Sequence, residues 1–109
     1  MSVASSLPIT EEESGRGDSV AELLEQARSI EDADISRARS LVQQARVLAR
    51  TRGEQAGEAE ALYRLAELSY ASSLPNEALA VAIESRDLAH ECGAAKTEVS
   101  ALNLIAAVQ

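Results

Sequence analysis

Residues 36–69 lie over residues 76–109 without a gap, an offset of forty, and nine of the thirty-four paired positions are identical. The identities are Ala38/Ala78, Arg46/Arg86, Leu48/Leu88, Ala49/Ala89, Gly53/Gly93, Glu58/Glu98, Ala61/Ala101, Leu62/Leu102 and Ala66/Ala106. Leu41/Val81, Leu65/Ile105 and Leu68/Val108 keep their apolar character. A period of this length marks one supersecondary unit used repeatedly, each leaving an apolar face for the next to cover. Leu23 and Ala27 join the series at an offset of 39, opposite Leu62 and Ala66.

The unit is helical. Ala, Glu, Leu, Arg and Lys fill 58 of 109 positions, whereas Val, Ile and Thr supply 15 and the aromatics are two tyrosines. That is too little β-branched and aromatic material for an ordinary sheet. Without Phe or Trp, the core has to be Ala and Leu. Ser19 and Glu22 stand at capping-box spacing, and Val20, Leu23, Leu24, Ala27 and Ile30 then give one apolar face of a first helix. Asp34 caps a second, with Ile35, Ala38, Leu41, Val42, Ala45, Leu48 and Ala49 inward, stopped by Gly53. A third runs from about Glu54 to Ser72 and ends before Leu74-Pro75; a fourth follows to Cys92 and Gly93; a fifth starts near Ala95. Residues 1–17 mix Ser, Gly, Pro and three consecutive glutamates without apolar periodicity, and are expected to be a flexible acidic tail.

The run from Ala61 to Leu79 resembles a tetratricopeptide repeat. Leu65-Ala66 stands at that family's Leu-Gly pair, Ser73 at its turn glycine and Ala78-Leu79 at its Ala-Leu pair. The long period, with a helix end of the form Leu88-Ala89-x-x-x-Gly93, is similar to variants common in bacterial regulators. The match covers about 20–109 and departs at the usual large aromatics, here Leu62, Ser69 and Ala82, and at both family glycines. It implies an all-α solenoid of antiparallel helix pairs with five helices over residues 18–109, ending after the first helix of a third unit. A plain antiparallel helical bundle is the competing architecture.

A net charge of -8 disfavours nucleic acid and anionic membranes as partners. No stretch approaches the length of a membrane span and the start lacks a secretory signal, so a cytoplasmic location is expected. Cys92 is the single cysteine and His90 the single histidine; His-x-Cys puts the two on different helix faces, and His90 aligns with Arg50, as a cation suited to a helix C-terminus. No catalytic constellation, metal set, cofactor motif or phosphate loop is expected, and the chain is not read as an enzyme.

In tetratricopeptide arrays the first helix of each pair lines a concave groove. The resemblance therefore implies that Glu60, Tyr63, Glu67 and Tyr70 face a ligand, with Leu24, Arg28 and Asn103 beside them on neighbouring first helices. Spacing independently puts the four third-helix residues on one face, away from Leu62, Leu65 and Leu68. A tyrosine suits recognition because it offers apolar area and a hydroxyl at low entropic cost; the alternative is that both tyrosines merely cover neighbouring helices. A basic or apolar peptide is the ligand expected from these residues. On the second helix Arg39, Arg46 and Arg50 share a face, either as a docking surface for an acidic partner or as a solvated face balanced by Glu54 and the acidic first helix. Leu102, Leu104, Ile105 and Val108 crowd a last helix that no further helix covers in this sequence, so homodimerisation through it is expected. The function expected is a protein-interaction and self-assembly module, the N-terminal regulatory part of a larger cytosolic bacterial signalling protein. The alternative is the regulatory domain of a multidomain enzyme, for example a nucleotide cyclase, with its catalytic domain beyond Gln109.

Overall fold

Four short turns dictate how the chain packs. The computed structural model describes residues 19–109, so the expected acidic tail at 1–17 lies outside the described residues. Five helices follow in order: α1 Val20–Ile30, α2 Ile35–Arg52, α3 Gln55–Ala71, α4 Pro75–Cys92 and α5 Ala95–Val108. Their connections hold only four, two, three and two residues. Each helix must therefore reverse direction and lie along the one before it. All consecutive helices pack together, and α3 also meets α1 and α5, whereas the α2 and α4 backbones do not approach each other. Hence α1, α3 and α5 make one layer and α2 and α4 the other, within extents of 57 × 33 × 17 Å.

The boundaries follow local chemistry. Ser19 Oγ accepts the Glu22 N–H at 2.9 Å, and Asp34 Oδ1 accepts the Arg37 N–H at 3.0 Å, satisfying orphan donors of α1 and α2. Gly53 (φ 70°) and Gly93 (φ 77°) end α2 and α4 in the left-handed region that suits glycine. Ser73 adopts the same hand, φ 63°, between α3 and α4, where it has a side chain to accommodate.

Eleven of the nineteen buried apolar residues are alanine, which lets helix axes come close. At Gly57 a Cβ would lie 3.2 Å from Val20 Cγ1 and 3.6 Å from Ala49 Cβ, so α3 starts tightly against both α1 and α2. One cluster joins α1 to α3 around Leu23, Leu24, Val42, Leu65 and Leu68. A second joins Ala66, Ala82 and Ile105 across α3, α4 and α5. The forty-residue correspondence holds in this packing: Ala38 and Ala78, Ala49 and Ala89, and Ala61 and Ala101 are all fully buried. It also holds for polar contacts, since Arg50 Nε lies 3.4 Å from Glu58 Oε2 and His90 Nδ1 lies 3.0 Å from Glu98 Oε2. Among the described residues no helix is long and apolar enough to cross a membrane.

Candidate functional site

Because α3 touches every other helix, its buried arc is wider than a single apolar stripe and takes in Arg64, which is only 7% exposed. A guanidinium at that depth needs compensating charge. It has two partners: Nη2 lies 3.4 Å from Glu31 Oε1, just after α1, and Nη1 lies 3.3 Å from Glu67 Oε1, one turn along α3. The other Glu67 oxygen accepts the Tyr63 hydroxyl at 2.8 Å. Tyr63, Arg64 and Glu67 therefore form one connected polar unit. The Tyr63 phenol is pushed up to about 12, first by burial and then by its bond to Glu67 and that carboxylate's charge, with Arg64 and Arg28 pulling the other way.

This unit floors a cleft of about 330 Å³ lined by Arg28 of α1, by Glu60, Tyr63, Arg64 and Glu67 of α3, and by Lys96, Thr97 and Ser100 of α5. An adjoining cleft of about 360 Å³ shares Arg28, Arg64 and Glu67 and adds Glu31 and Asp32. The two make a channel across the layer of alternate helices. Among the described residues Arg28 and Lys96 have no carboxylate within ion-pairing distance. The cleft therefore offers two uncommitted cations and one uncommitted acid, Glu60, beside a phenol and two hydroxyls.

Of the seven residues expected in the groove, Arg28, Glu60, Tyr63 and Glu67 come together here. Tyr70 is exposed farther along α3, its hydroxyl 3.5 Å from the Ala107 carbonyl, and exposed Asn103 lines neither cleft. Leu24 requires correction. It is 6% exposed in the α1–α3 core, because the apolar arc of α1 includes both Leu23 and Leu24, and so it faces packing rather than a ligand. A second correction concerns α5: Ile105 is 8% exposed against Ala66 and Ala82 and belongs to the core. Leu104 and Val108 are half-buried, and Leu102 is the exposed member of that set. Arg64 and Lys96 escaped sequence reasoning. Arg64 had only its Glu67 neighbour three residues on as a signal, and Lys96 only its place in the first turn of a first-type helix.

The arginine face of α2 is engaged within the fold. Arg39 pairs with Glu77, Arg46 Nη2 lies 3.7 Å from Glu84 Oε2, and Arg50 pairs with Glu58. These acids lie on α3 and α4, not at Glu54 or on α1, so the stripe ties α2 to α4 through Arg39 and Arg46 and to α3 through Arg50. Glu77 also accepts the Ser69 hydroxyl at 2.8 Å, and that bond, with Arg39, holds its carboxyl below the usual range. Each exposed pair contributes little alone, but together they occupy the cations a partner would need. No protein-family model, curated protein or solved structure matches the chain.

Proposed function

We propose that this chain is a tetratricopeptide-like solenoid that binds a protein partner as an extended or helical peptide laid across α1, α3 and α5. The observation that carries this reading is the cleft itself, in which Arg28, Tyr63 and Lys96 converge from three successive helices of one layer. A helical stack makes such a surface because alternate helices present equivalent faces on one side, and the surface then spans several units. Tyr63 supplies a part-buried aromatic anchor held in one orientation by Glu67, which reduces the ordering cost of binding.

The ligand carries an acidic side chain placed between Arg28 and Lys96. A basic ligand, the preference suggested by the glutamates alone, would need Glu67, but both Glu67 oxygens are engaged with Tyr63 and Arg64. Within the first cleft the uncommitted charges, Arg28 and Lys96 against Glu60, weigh the other way and suit an acidic side chain, with Asp32 lying in the adjoining cleft. In this reading the module serves recognition within a larger cytosolic signalling protein.

Fluorescence anisotropy with a panel of labelled peptides of matched length, acidic, neutral and basic, tests the reading. Acidic members should bind tightest, with affinity falling as salt rises. Loss of roughly tenfold or more on Arg28→Ala or Lys96→Ala, about 1.4 kcal/mol, is the expected outcome. Preference for basic peptides, or no effect of either substitution, would contradict it.

A further inference from the structure

The three helices that build the cleft run the same way, so their starts share one end of the molecule. The short connections reverse the chain at every turn, which leaves α1, α3 and α5 parallel. Ser19, the cap of α1, therefore stands at the same end as Lys96 in the first turn of α5. The starts of α1 and α3 lie side by side there, since a Cβ at Gly57 would be 3.2 Å from Val20 Cγ1. Glu60 follows one turn beyond Gly57, exposed, with no cation in ion-pairing distance among the described residues.

The residues before Ser19 carry charges in an order that fits this end. Arg16 stands three positions before Ser19; Glu11-Glu12-Glu13, the only three consecutive like charges in the sequence, stands six to eight before it. We infer that Glu11-Glu12-Glu13 lies in the cleft between Arg28 and Lys96, with Arg16 at Glu60, and competes there with the acidic peptide. The competition rests on the cleft being the peptide site proposed above. Reach allows the contact: six to eight extended residues span roughly 20–28 Å. Lys96 lies two helix spacings from α1, about 16–20 Å, and Arg28 lies nine residues along α1 from Ser19, about 13.5 Å. Arg16 spans only ~10 Å, one helix spacing, which is what Glu60 requires. Each uncommitted charge of the first cleft thus meets its opposite. Arg37 and Arg52 are also unpaired among the described residues, but they stand fifteen positions apart at opposite ends of α2, too far for one run of three to meet both.

Tethering supplies the strength that the contact alone lacks. Exposed carboxylate–cation pairs are individually weak, but a segment tied a few residues away acts at a roughly millimolar effective concentration. The run holds the cleft until an acidic ligand displaces it, and the apparent affinity for that ligand falls with the fraction of chains left open.

Two measurements on the full chain test this. With a nitroxide on Thr10→Cys in a Cys92→Ser background, the amide broadening lost on changing Glu11, Glu12 and Glu13 together to Gln should be largest at Arg28, Tyr63 and Lys96. An isotope-labelled chain mixed with spin-labelled, unlabelled chain should show none of it. In anisotropy titrations the same three changes should tighten a labelled acidic peptide by roughly threefold or more. Glu25→Gln, Glu54→Gln and Glu91→Gln together, an equal change of net charge at exposed sites outside the cleft, should not. No change of broadening at the cleft, broadening in the mixed sample, or equal tightening by both triple variants would overturn the proposal. Acidic peptide bound equally by the parent and both triple variants would sink the competition and keep the peptide site. No acidic peptide bound by any of them, with the cleft still broadened, would sink the peptide reading while the contact with Glu11-Glu12-Glu13 stood.

Discussion

Leu62 and Leu102 hold the same place in two copies of one helical pattern, forty residues apart, yet Leu62 is 1% exposed and Leu102 44%. The difference is the helix that follows. α3 packs against α1, α2, α4 and α5, whereas among the described residues α5 packs only against α3 and α4. Identical side chains at equivalent positions should therefore differ sharply in what they contribute to stability. Leu62→Ala is expected to cost about 2–5 kcal/mol by loss of burial and creation of a cavity, and Leu102→Ala less than about 0.5 kcal/mol. Denaturant melts of the two variants check both values.

Ser73 is the one non-glycine residue with positive φ among the described residues, and it sits in the turn between α3 and α4. A side chain in the left-handed region costs about 1–2 kcal/mol, against which glycine loses about 0.5–1 kcal/mol through the extra freedom of the unfolded chain. Ser73→Gly should therefore raise stability by about 0.5–1 kcal/mol, a few degrees in thermal midpoint for a domain of this size.

Tyr63 gives the fold an alkaline limit. Its phenol is pushed up to about 12 in the folded state from an ordinary value of 10.0, so the unfolded chain releases this proton first. The stabilisation linked to the neutral phenol is complete below pH 10 and is lost as pH rises through about 12. Ultraviolet titration of tyrosinate should show a late step that disappears in Tyr63→Phe. The same substitution, by leaving Glu67 without its donor, should cost about 1 kcal/mol at neutral pH.

The sequence was most legible where chemistry is local. Ser19, Asp34, Gly53, Pro75 and Gly93 mark helix ends by capping or backbone geometry alone, and the helices begin and end beside them. The inward positions of α3 were equally plain, because Leu62, Leu65 and Leu68, set away from the tyrosine face by spacing, are all buried. The site was harder to read, since it depends on which helices meet. A spacing of three and four residues puts Tyr63 and Glu67 on one face, but says nothing of Arg64 sinking between Glu31 and Glu67 once α1 and α3 pack together. Leu24 illustrates the same limit. Its position fits either the groove or the core, and only the packing of α1 against α2 and α3 sends it inward. The arginine stripe of α2 likewise gave no hint that its partners stand on α3 and α4.

The claim that α1, α3 and α5 together form a peptide-binding surface is tested most directly by locating a bound ligand. Peptides selected from an unbiased displayed library against the chain, then titrated into isotopically labelled protein, report the contact surface through amide chemical-shift changes. The account predicts selected sequences rich in Asp and Glu, with the largest shifts clustered at Arg28, Tyr63, Arg64 and Lys96, and with binding lost in the Arg28→Ala, Lys96→Ala double variant. Shifts centred on the outer face of α2 or confined to Val99 and Leu102, with the double variant binding as well as the parent, would contradict it.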